Sequence, residues 1–498
     1  MKTSRLILVL VLLTVARFWL AIQNEPSPSE AYFWLLGQRP AWGYLDGPPG
    51  GPLLARLFTD AFGDRFGLAA MGPIFGFIAS LAFISGARRF TGTAAAAYAT
   101  VGLNLLPLFN EQTVRASAFA PAFAFSLLAL AAFSRIISRE GSPTVAWLLT
   151  GVAAGLATLV HLGAAAVLPM CLLGAIASNR SRRDFLSFGP YVALLVAGVC
   201  VLPALRWNEE NDGIWFAATT IHSALSTPLH SLPVQLASAA LGVSPLLFFG
   251  LAVSLIAGLI HFRNRHPREL LTLAVAPAAL WLFSPPGSLG SGFAFLLATT
   301  PILLLAGYQA VQIRAEIWRV WIAMTLLLAA FFSTASVLSR RPSEAEAWTR
   351  TAQIVDELAR SEPDLPGGGR FIIADSPVTA AALIFYGGWA NRTPWPPVFV
   401  RESQAMESQF SLWPRYDDFV ETGAPPADEN FVEQTASNPF IGRSALYITT
   451  ETPESLPSVI LSGFESVTPW EGIDFRRGDS LRQKLQILRC DLYQSVPL

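Results

Sequence analysis

Lysine is nearly missing from this chain. Among its 498 residues only Lys2 and Lys484 are lysines, and arginine supplies nearly all the remaining basic charge. Charge of either sign is scarce, at 14% of residues against 52% hydrophobic, where soluble domains carry roughly 25% charged residues. Most of the length is therefore not built to be solvated by water. The formal net charge of −1 provides no basic surface for a polyphosphate, so no nucleic-acid partner is expected. Cysteine is limited to Cys171, Cys200 and Cys490, too few and too scattered for a disulfide framework or a thiolate metal site. CxxC, HExxH and P-loop patterns are also lacking, as are a nucleophile elbow, an internal repeat and any long low-complexity tract.

What the chain has instead is long apolar runs. Stretches able to cross ~30 Å of hydrocarbon fall near 5–23, 67–87, 94–109, 113–134, 184–204, 233–261, 269–284, 291–311 and 317–338. The apolar stretch 144–178 is broken by His161-Leu162-Gly163 and reads as two short helices. The sum is about eleven crossings. Arginine tests the count. Arg88-Arg89, Arg135 with Arg139, Arg180-Arg182-Arg183, Arg263-Arg265-Arg268 and Arg314 with Arg319 occupy alternate loops, which the positive-inside bias assigns to the cytoplasm together with Lys2 and Arg5. Merging the halves of 144–178 would invert every later cluster. The first run, "MKTSRLILVLVLLTVARFWLAIQ", has signal-peptide character, but Arg17, Phe18 and Trp19 stand where small residues should mark cleavage. It reads as an uncleaved anchor.

From Ser339 polar residues return. A helical stretch, "SEAEAWTRTAQIVDELARSE", precedes β-like runs at 371–375, 397–400, 445–450 and 485–493, separated by Gly/Pro-rich turns. The fold class predicted is an α-helical polytopic membrane protein over 1–338, with an outward first loop at 24–66, followed by an extracytoplasmic α/β domain over 339–498.

The first outward loop concentrates the candidate chemistry. "SEAYFW" (29–34) predicts an aromatic helix lying in the membrane interface, with Ser29 as its N-cap. "YLDGPPGGP" (44–52) fixes a stiff turn directly after Asp46. Glu30 and Asp46 are the candidate carboxylates, with Glu25 in reserve; interfacial capping, or pairing of Glu30 with Arg39, is the structural alternative. For anion binding the outward cations are His161, Arg115, Arg17 and Arg206, although Arg17 has the option of snorkelling to headgroups. Arg206 with Trp207, Asn208 and His222 belongs to a loop, 205–232, placed to cover a substrate. Trp413 and Tyr386, in "SQFSLWP" and "FYGG", read as core.

The order of these motifs resembles the GT-C type polytopic glycosyltransferases, in the family 39 branch of protein O-mannosyltransferases and aminoarabinose lipid A transferases. "SEAYFW" matches an interfacial "DEAYYW" motif and "YLDGPP" a "(F/Y)xDHPP" motif. "LPLF" (106–109), "GLATLVHLGAAAVLP" (155–169), "RWN" (206–208) and "SQFSLWP" (408–414) match more loosely. The departures are Ser29 in place of the principal Asp, Phe119 in place of an acid, His161 in place of a Lys, and Ser223 after His222 in place of an Arg. The resemblance implies an inverting transfer of sugar from a polyprenyl-phosphate donor to an extracytoplasmic acceptor: a glycolipid, lipid A or a protein. Glu30 and Asp46 would be catalytic, and His161, Arg115, Arg17 and Arg206 would bind the donor phosphate. Membrane lipid is the setting, no further cofactor or metal is required, and the bacterial inner membrane is the expected location, with the N-terminus cytoplasmic. Ser29 keeps a second class open, a relative without activity serving as scaffold or partner subunit. A lipid or solute transporter is a third, poorly matched by ionisable residues near the membrane faces and by the lack of repeats.

Overall fold

The computed structural model describes residues 3–179, 181–217, 228–284, 289–312, 324, 327, 344–362, 369–392, 397–401, 403, 406–418, 438–452, 455–477 and 480–494. The chain divides into two units: Met1–Asn24 with Pro40–Arg341, and Glu25–Arg39 with Pro342–Leu498. The second therefore takes a segment from the loop read at 24–66.

The first unit is helical. It runs through α1 (Thr3–Gln23), α3 (Gly50–Phe62), α4 (Asp64–Thr91), α5 (Thr93–Asn104), α6 (Pro107–Gln112), α7 (Phe119–Ser138), α8 (Pro143–Val160), α9 (Val167–Ala177) and α10 (Gly189–Glu210). It continues with α11 (Pro228–Val243), α12 (Pro245–Ile260), α13 (Arg265–Phe283) and α14 (Leu289–Gln312); α2 (Pro28–Gln38) belongs to the second unit. Among the described residues six helices are long and apolar enough to span a membrane: α1, α4, α7, α8, α10 and α14. α11 and α12 meet at 110° and together meet the same test. The run at 317–338 lies almost wholly outside the described residues, as do Arg314 and Arg319. The stretch 144–178 does break at His161: α8 ends there and a 3₁₀ turn, Leu162–Ala166, leads into α9.

Two features mark lipid as the solvent of this unit. α1 exposes Leu8, Leu12, Val15 and Trp19, and α10 exposes Tyr191, Leu194, Leu195, Val199 and Leu202. Such continuous apolar faces are costly in water and neutral in hydrocarbon. α4 and α7, by contrast, bury alanine, glycine and serine against each other, as membrane helices do when packing has to replace the hydrophobic effect.

The second unit carries a five-stranded sheet of order β2-β1-β3-β5-β4. Its strands are β1 (Phe371–Ala374), β2 (Phe399–Val400), β3 (Ala445–Thr449), β4 (Phe464–Arg477) and β5 (Ser480–Tyr493). β1 lies parallel between β2 and β3, while β5 is antiparallel to β3 and β4. Phe371, Phe399, Tyr416, Phe440, Tyr447 and Tyr493 fill one face of the sheet. α15 (Glu344–Arg360), α16 (Pro377–Gly387), a 3₁₀ turn at Gln409–Leu412 and a short helix at Ser458–Gly463 belong to the same unit.

α2 overturns the reading of a helix lying on lipid. It buries Ala31, Trp34, Leu35, Leu36 and Gly37. Trp34 meets Phe385 of α16 edge-on at 5.0 Å, and Tyr386 donates its hydroxyl hydrogen to the Pro26 carbonyl at 2.5 Å. The Tyr32 hydroxyl accepts from the Gln409 N–H at 3.1 Å. Protein covers the aromatic face. Tyr386 and Trp413 are both core residues, at 8% and 6% exposure.

Candidate functional site

The acid-bearing turn of the first unit is built from the backbone up. Tyr44 and Gly47 exchange N–H···O=C bonds, both 3.0 Å, and leave Leu45 and Asp46 as the two residues at the tip. Tyr44 is fully buried and Asp46 is exposed. Pro48 and Pro49 then lead into α3, whose first residue, Gly50, is pressed against α8. A Cβ there would lie 2.7 Å from the Leu159 carbonyl oxygen. The sequence "YLDGPPG" thus joins Asp46 by a short, stiff lead to Gly50, which rests on the last turn of α8, the helix that ends one residue before His161.

A second segment clamps this turn from the other side. α10 ends at Glu210, and the chain folds back through a single helical turn, Ile214–Ala217. Asn208, 2% exposed, accepts the Trp215 N–H on its Oδ1 at 2.9 Å. Trp215 then donates its indole N–H to the Tyr44 carbonyl at 2.7 Å. Trp207 lies beside Trp215, ring centroids 5.7 Å apart, and packs so closely on Gly43 that a Cβ there would be 2.3 Å from its ring. Trp207 and Asn208 are thus brought to Asp46 through its turn. Trp215 was not singled out by the sequence; its partner lies 171 residues away, and no periodic signal joins them.

Arg206 departs from its expected place. It lies on α10, not in a covering loop, and pairs with Glu210 at 3.0 Å with both side chains largely exposed. The i, i+4 spacing of a continuing helix accounts for the pair. His222 lies outside the described residues.

His161 caps the 3₁₀ turn that follows α8. Its Nδ1 accepts the Gly163 N–H at 3.0 Å, which requires a lone pair on Nδ1 and assigns the proton of the neutral ring to Nε2. The ring stacks on Phe293 at 4.7 Å, and Phe119 meets the same Phe293 edge-on at 5.3 Å. Two of the departures noted in the sequence, an aromatic for an acid and a histidine for a lysine, therefore touch one ring. Where an acid and a lysine would present charge, this chain has an apolar stack with one N–H donor.

The remaining arginines separate by environment. Arg115 is exposed in the turn between α6 and α7, not on a helix, and pairs with Glu111 at 2.7 Å. Arg17 does not snorkel. It is 4% exposed, donates from Nε to Asn110 Oδ1 at 2.9 Å, and lies 5.1 Å from the centre of the Phe109 ring. Asn110 in turn donates to the Asn104 carbonyl at 2.7 Å. This chain of contacts ties α1 to the break between α5 and α6.

Glu30 falls in the second unit. Its Oε2 accepts from the Ser27 N–H at 2.9 Å and the Ser27 hydroxyl at 2.8 Å, while the Ser27 oxygen accepts the Glu30 N–H. This is a capping box. Ser27, not Ser29, is the N-cap, because Pro28 has a fixed φ and no N–H and so suits the first helical position. Ser29 lies exposed one residue into the helix, and Glu25 opens the same segment. Arg39 points over Trp413 at 6.0 Å. Among the described residues no group of three or more His, Cys, Asp or Glu side chains is placed to hold a metal.

ArnT from Cupriavidus metallidurans bound to undecaprenyl phosphate superposes with a TM-score of 0.63 at 13% identity, covering 98% of both chains. Its apo form gives 0.63 at 12% identity. The fold is that of ArnT. The same architecture extends to the apo Archaeoglobus fulgidus oligosaccharyltransferase, with a TM-score of 0.53 at 15% identity over 78% of this chain and 64% of that one. The sequence pattern of the dolichyl-phosphate-mannose-protein mannosyltransferase family matches residues 46–207, from Asp46 to Trp207. No curated protein matches in sequence. The resemblance read from the motifs is thus met by both the family match and the GT-C fold, and the chain is an integral membrane protein with spanning helices.

Proposed function

We propose that this GT-C protein is a glycosyltransferase that moves a sugar, with inversion, from a polyprenyl-phosphate carrier to an extracytoplasmic acceptor at the outer leaflet. The observation that carries the reading is the Asp46 turn, clamped by Trp215 and followed at Gly50 by a close approach to the last turn of α8, the helix that ends at His161. A protein of the same fold holds undecaprenyl phosphate, which supports a lipid phosphate as the donor's anchor. Asp46 is the base: it takes the acceptor's hydroxyl proton as that oxygen attacks the anomeric carbon. The bond from that carbon to the phosphate oxygen breaks, and the phosphate leaves with the electron pair. The Nε2–H of His161 and the guanidinium of Arg115 stabilise the charge that builds on it. Arg17, engaged with Asn110, serves the scaffold, and Arg206 stays with Glu210. Glu30 acts from the second unit, as a second carboxylate or through the helix it caps. In this reading the N-terminus is cytoplasmic and the second unit lies outside a bacterial inner membrane, an orientation that the positive-inside bias of the arginine clusters supports.

The test is transfer from a lipid-linked sugar in membranes carrying Asp46→Asn or Glu30→Gln. Loss in Asp46→Asn supports the assignment; wild-type transfer by both variants refutes it. The stack of Phe119 and His161 on Phe293 favours a second reading, a relative that has given up transfer and serves as a partner subunit. Measurable transfer by the unmodified protein dismisses it.

A further inference from the structure

Three buried oxygens of the second unit lack a hydrogen-bond partner, and all three belong to one edge of the sheet. They are Asp375 Oδ1, Glu451 Oε2 and the hydroxyl of Tyr447, a residue with 0% exposure. Position is the first argument. β1 lies between β2 and β3, all three parallel; the chain passes from β1 through α16 to β2 and only later returns to β3 on the other side. The carboxyl ends of β1 and β3 therefore flank a topological switch point, where open parallel sheets place their ligands. Asp375 directly follows β1, and Glu451 stands just beyond β3.

Local contacts draw the three groups together. Asp375 Oδ2 accepts the Thr450 N–H at 2.8 Å and the Thr450 hydroxyl at 3.2 Å, which holds the carboxylate beside the turn that carries Glu451 and leaves Oδ1 over. Glu451 donates its N–H to the Thr449 hydroxyl at 2.9 Å, and its Oε1 lies 3.4 Å from Arg401. Tyr447 pairs with Ile373 across the β1–β3 ladder, so the period of two puts it on the same face as Asp375 and Thr449. Its hydroxyl adjoins that of Thr449 without meeting hydrogen-bond geometry. Burial, together with the Glu451 and Asp375 carboxylates, holds the phenol well above its ordinary range. Tyr447 is thus neutral and within electrostatic reach of both acids. Asp375 is not spent on α16, which Ser376 caps.

Charge selects the ligand class. Two carboxylates face one guanidinium, Arg401, so the edge carries an excess of negative charge. Buried oxygens left without partners are costly. A water satisfies the hydrogen bonds but not the charge, whereas a hard cation answers both. Mg²⁺ keeps several waters, for which these buried oxygens leave little room, while Ca²⁺ accepts irregular sets of oxygen ligands. We propose that the carboxyl edge between β1 and β3 is a calcium site, with Asp375 and Glu451 as its ligands and the Tyr447 hydroxyl closing it from the core side. Two carboxylates set a modest affinity, roughly 10⁻⁴–10⁻³ M. The ion ties the turn after β3 to the start of α16, the helix on which Trp34 of α2 packs.

The experiment uses the full-length protein in detergent, stripped with EDTA and titrated with terbium, a luminescent stand-in for calcium that nearby aromatic rings sensitise. Saturable emission is expected, displaced by Ca²⁺ but not by NaCl of equal ionic strength, and only weakly by Mg²⁺. Asp375→Asn and Glu451→Gln should each weaken calcium at least about ten-fold, since each removes one charged ligand. Tyr447→Phe should weaken it less while cutting the sensitised emission. Melting of each variant in EDTA identifies those that fold; should Asp375→Asn fail, Glu451→Gln decides, because Glu451 lies on a turn beyond the strand. Absence of calcium-displaceable emission overturns the proposal and leaves an ordered water as the partner of the three oxygens. So does unchanged calcium affinity in Glu451→Gln, or displacement by NaCl as effective as by Ca²⁺. Neither sugar donor nor acceptor is present, so the result is independent of the transfer reading, which Asp46→Asn tests.

Discussion

Replacing Trp215 by Phe tests how far the clasp, rather than Asp46 alone, sets the rate. The indole N–H reaches the Tyr44 carbonyl at 2.7 Å, and phenylalanine keeps a ring beside Trp207 while removing that donor. The same carbonyl also accepts the Gly47 N–H at 3.0 Å, so it is not left without a partner. The cost is then the net worth of one hydrogen bond, about 1 kcal/mol, rather than the larger penalty of an orphaned buried group. That shifts the clamped turn about five-fold toward looser arrangements. Transfer by Trp215→Phe should fall by about that factor in kcat, with little change in donor KM, since the proposed donor-phosphate ligands are other residues. Maleimide labelling of Leu45→Cys, at the tip of the turn, should rise by a similar factor in the Trp215→Phe background. Trp215→Ala also removes the buried ring and should cost about 3–5 kcal/mol locally, enough to abolish transfer. Wild-type kcat and labelling in Trp215→Phe would refute the clasp; so would a fall as deep as that of Asp46→Asn, because a hydrogen bond of this worth cannot carry it.

Three further outcomes are expected. Glu30→Gln should melt within about 0.5 kcal/mol of wild type, since glutamine also completes a capping box, whereas Ser27→Ala should cost the second unit about 1 kcal/mol; equal melting of all three would remove the cap from the account. Asn110→Ala strands the buried Arg17 guanidinium and should cost about 3 kcal/mol by thermal denaturation in detergent, with partial recovery in Arg17→Met/Asn110→Ala; additivity of the two changes would show that they do not interact. Burial, helped by the Asp491 carboxylate, pushes the Cys490 thiol up to about 12, so it stays protonated and should resist maleimide at pH 8 until the protein is denatured. The raised value favours the fold at lower pH, and that contribution is lost as pH climbs from the ordinary thiol range toward 12; prompt labelling of native Cys490 would contradict its burial.

The spanning helices were legible because hydrocarbon imposes a length and a polarity that few other settings require. The break at His161 was legible through charge bookkeeping, not local propensity. β1 and β3 were legible as short β-branched and aromatic runs, but β4 was not. Its "SVTPWEGIDF" holds Pro469 and Gly472, which argue against a strand; it forms the sheet edge and shifts register between Pro469 and Glu471, where proline is tolerated. Asp46 could be nominated from its stiff turn, but its clasp could not, because Trp215 and Tyr44 meet only in the fold. The capping role of Glu30 was written in "SPSE", serine and glutamate three apart with proline at the first helical position, and was outweighed by the aromatics that follow.

Those aromatics carry a consequence for synthesis. α2 leaves the ribosome with residues 25–39, yet the helix it packs on, α16, follows only after residues 40–341 have been made. Throughout that interval Trp34, Leu35 and Leu36 have no protein to cover them, and the bilayer surface is the nearest shelter. A helix composed to rest at the membrane early and to dock on a domain late must satisfy both hosts. A fragment begun at residue 342 would lack its docking partner from the start.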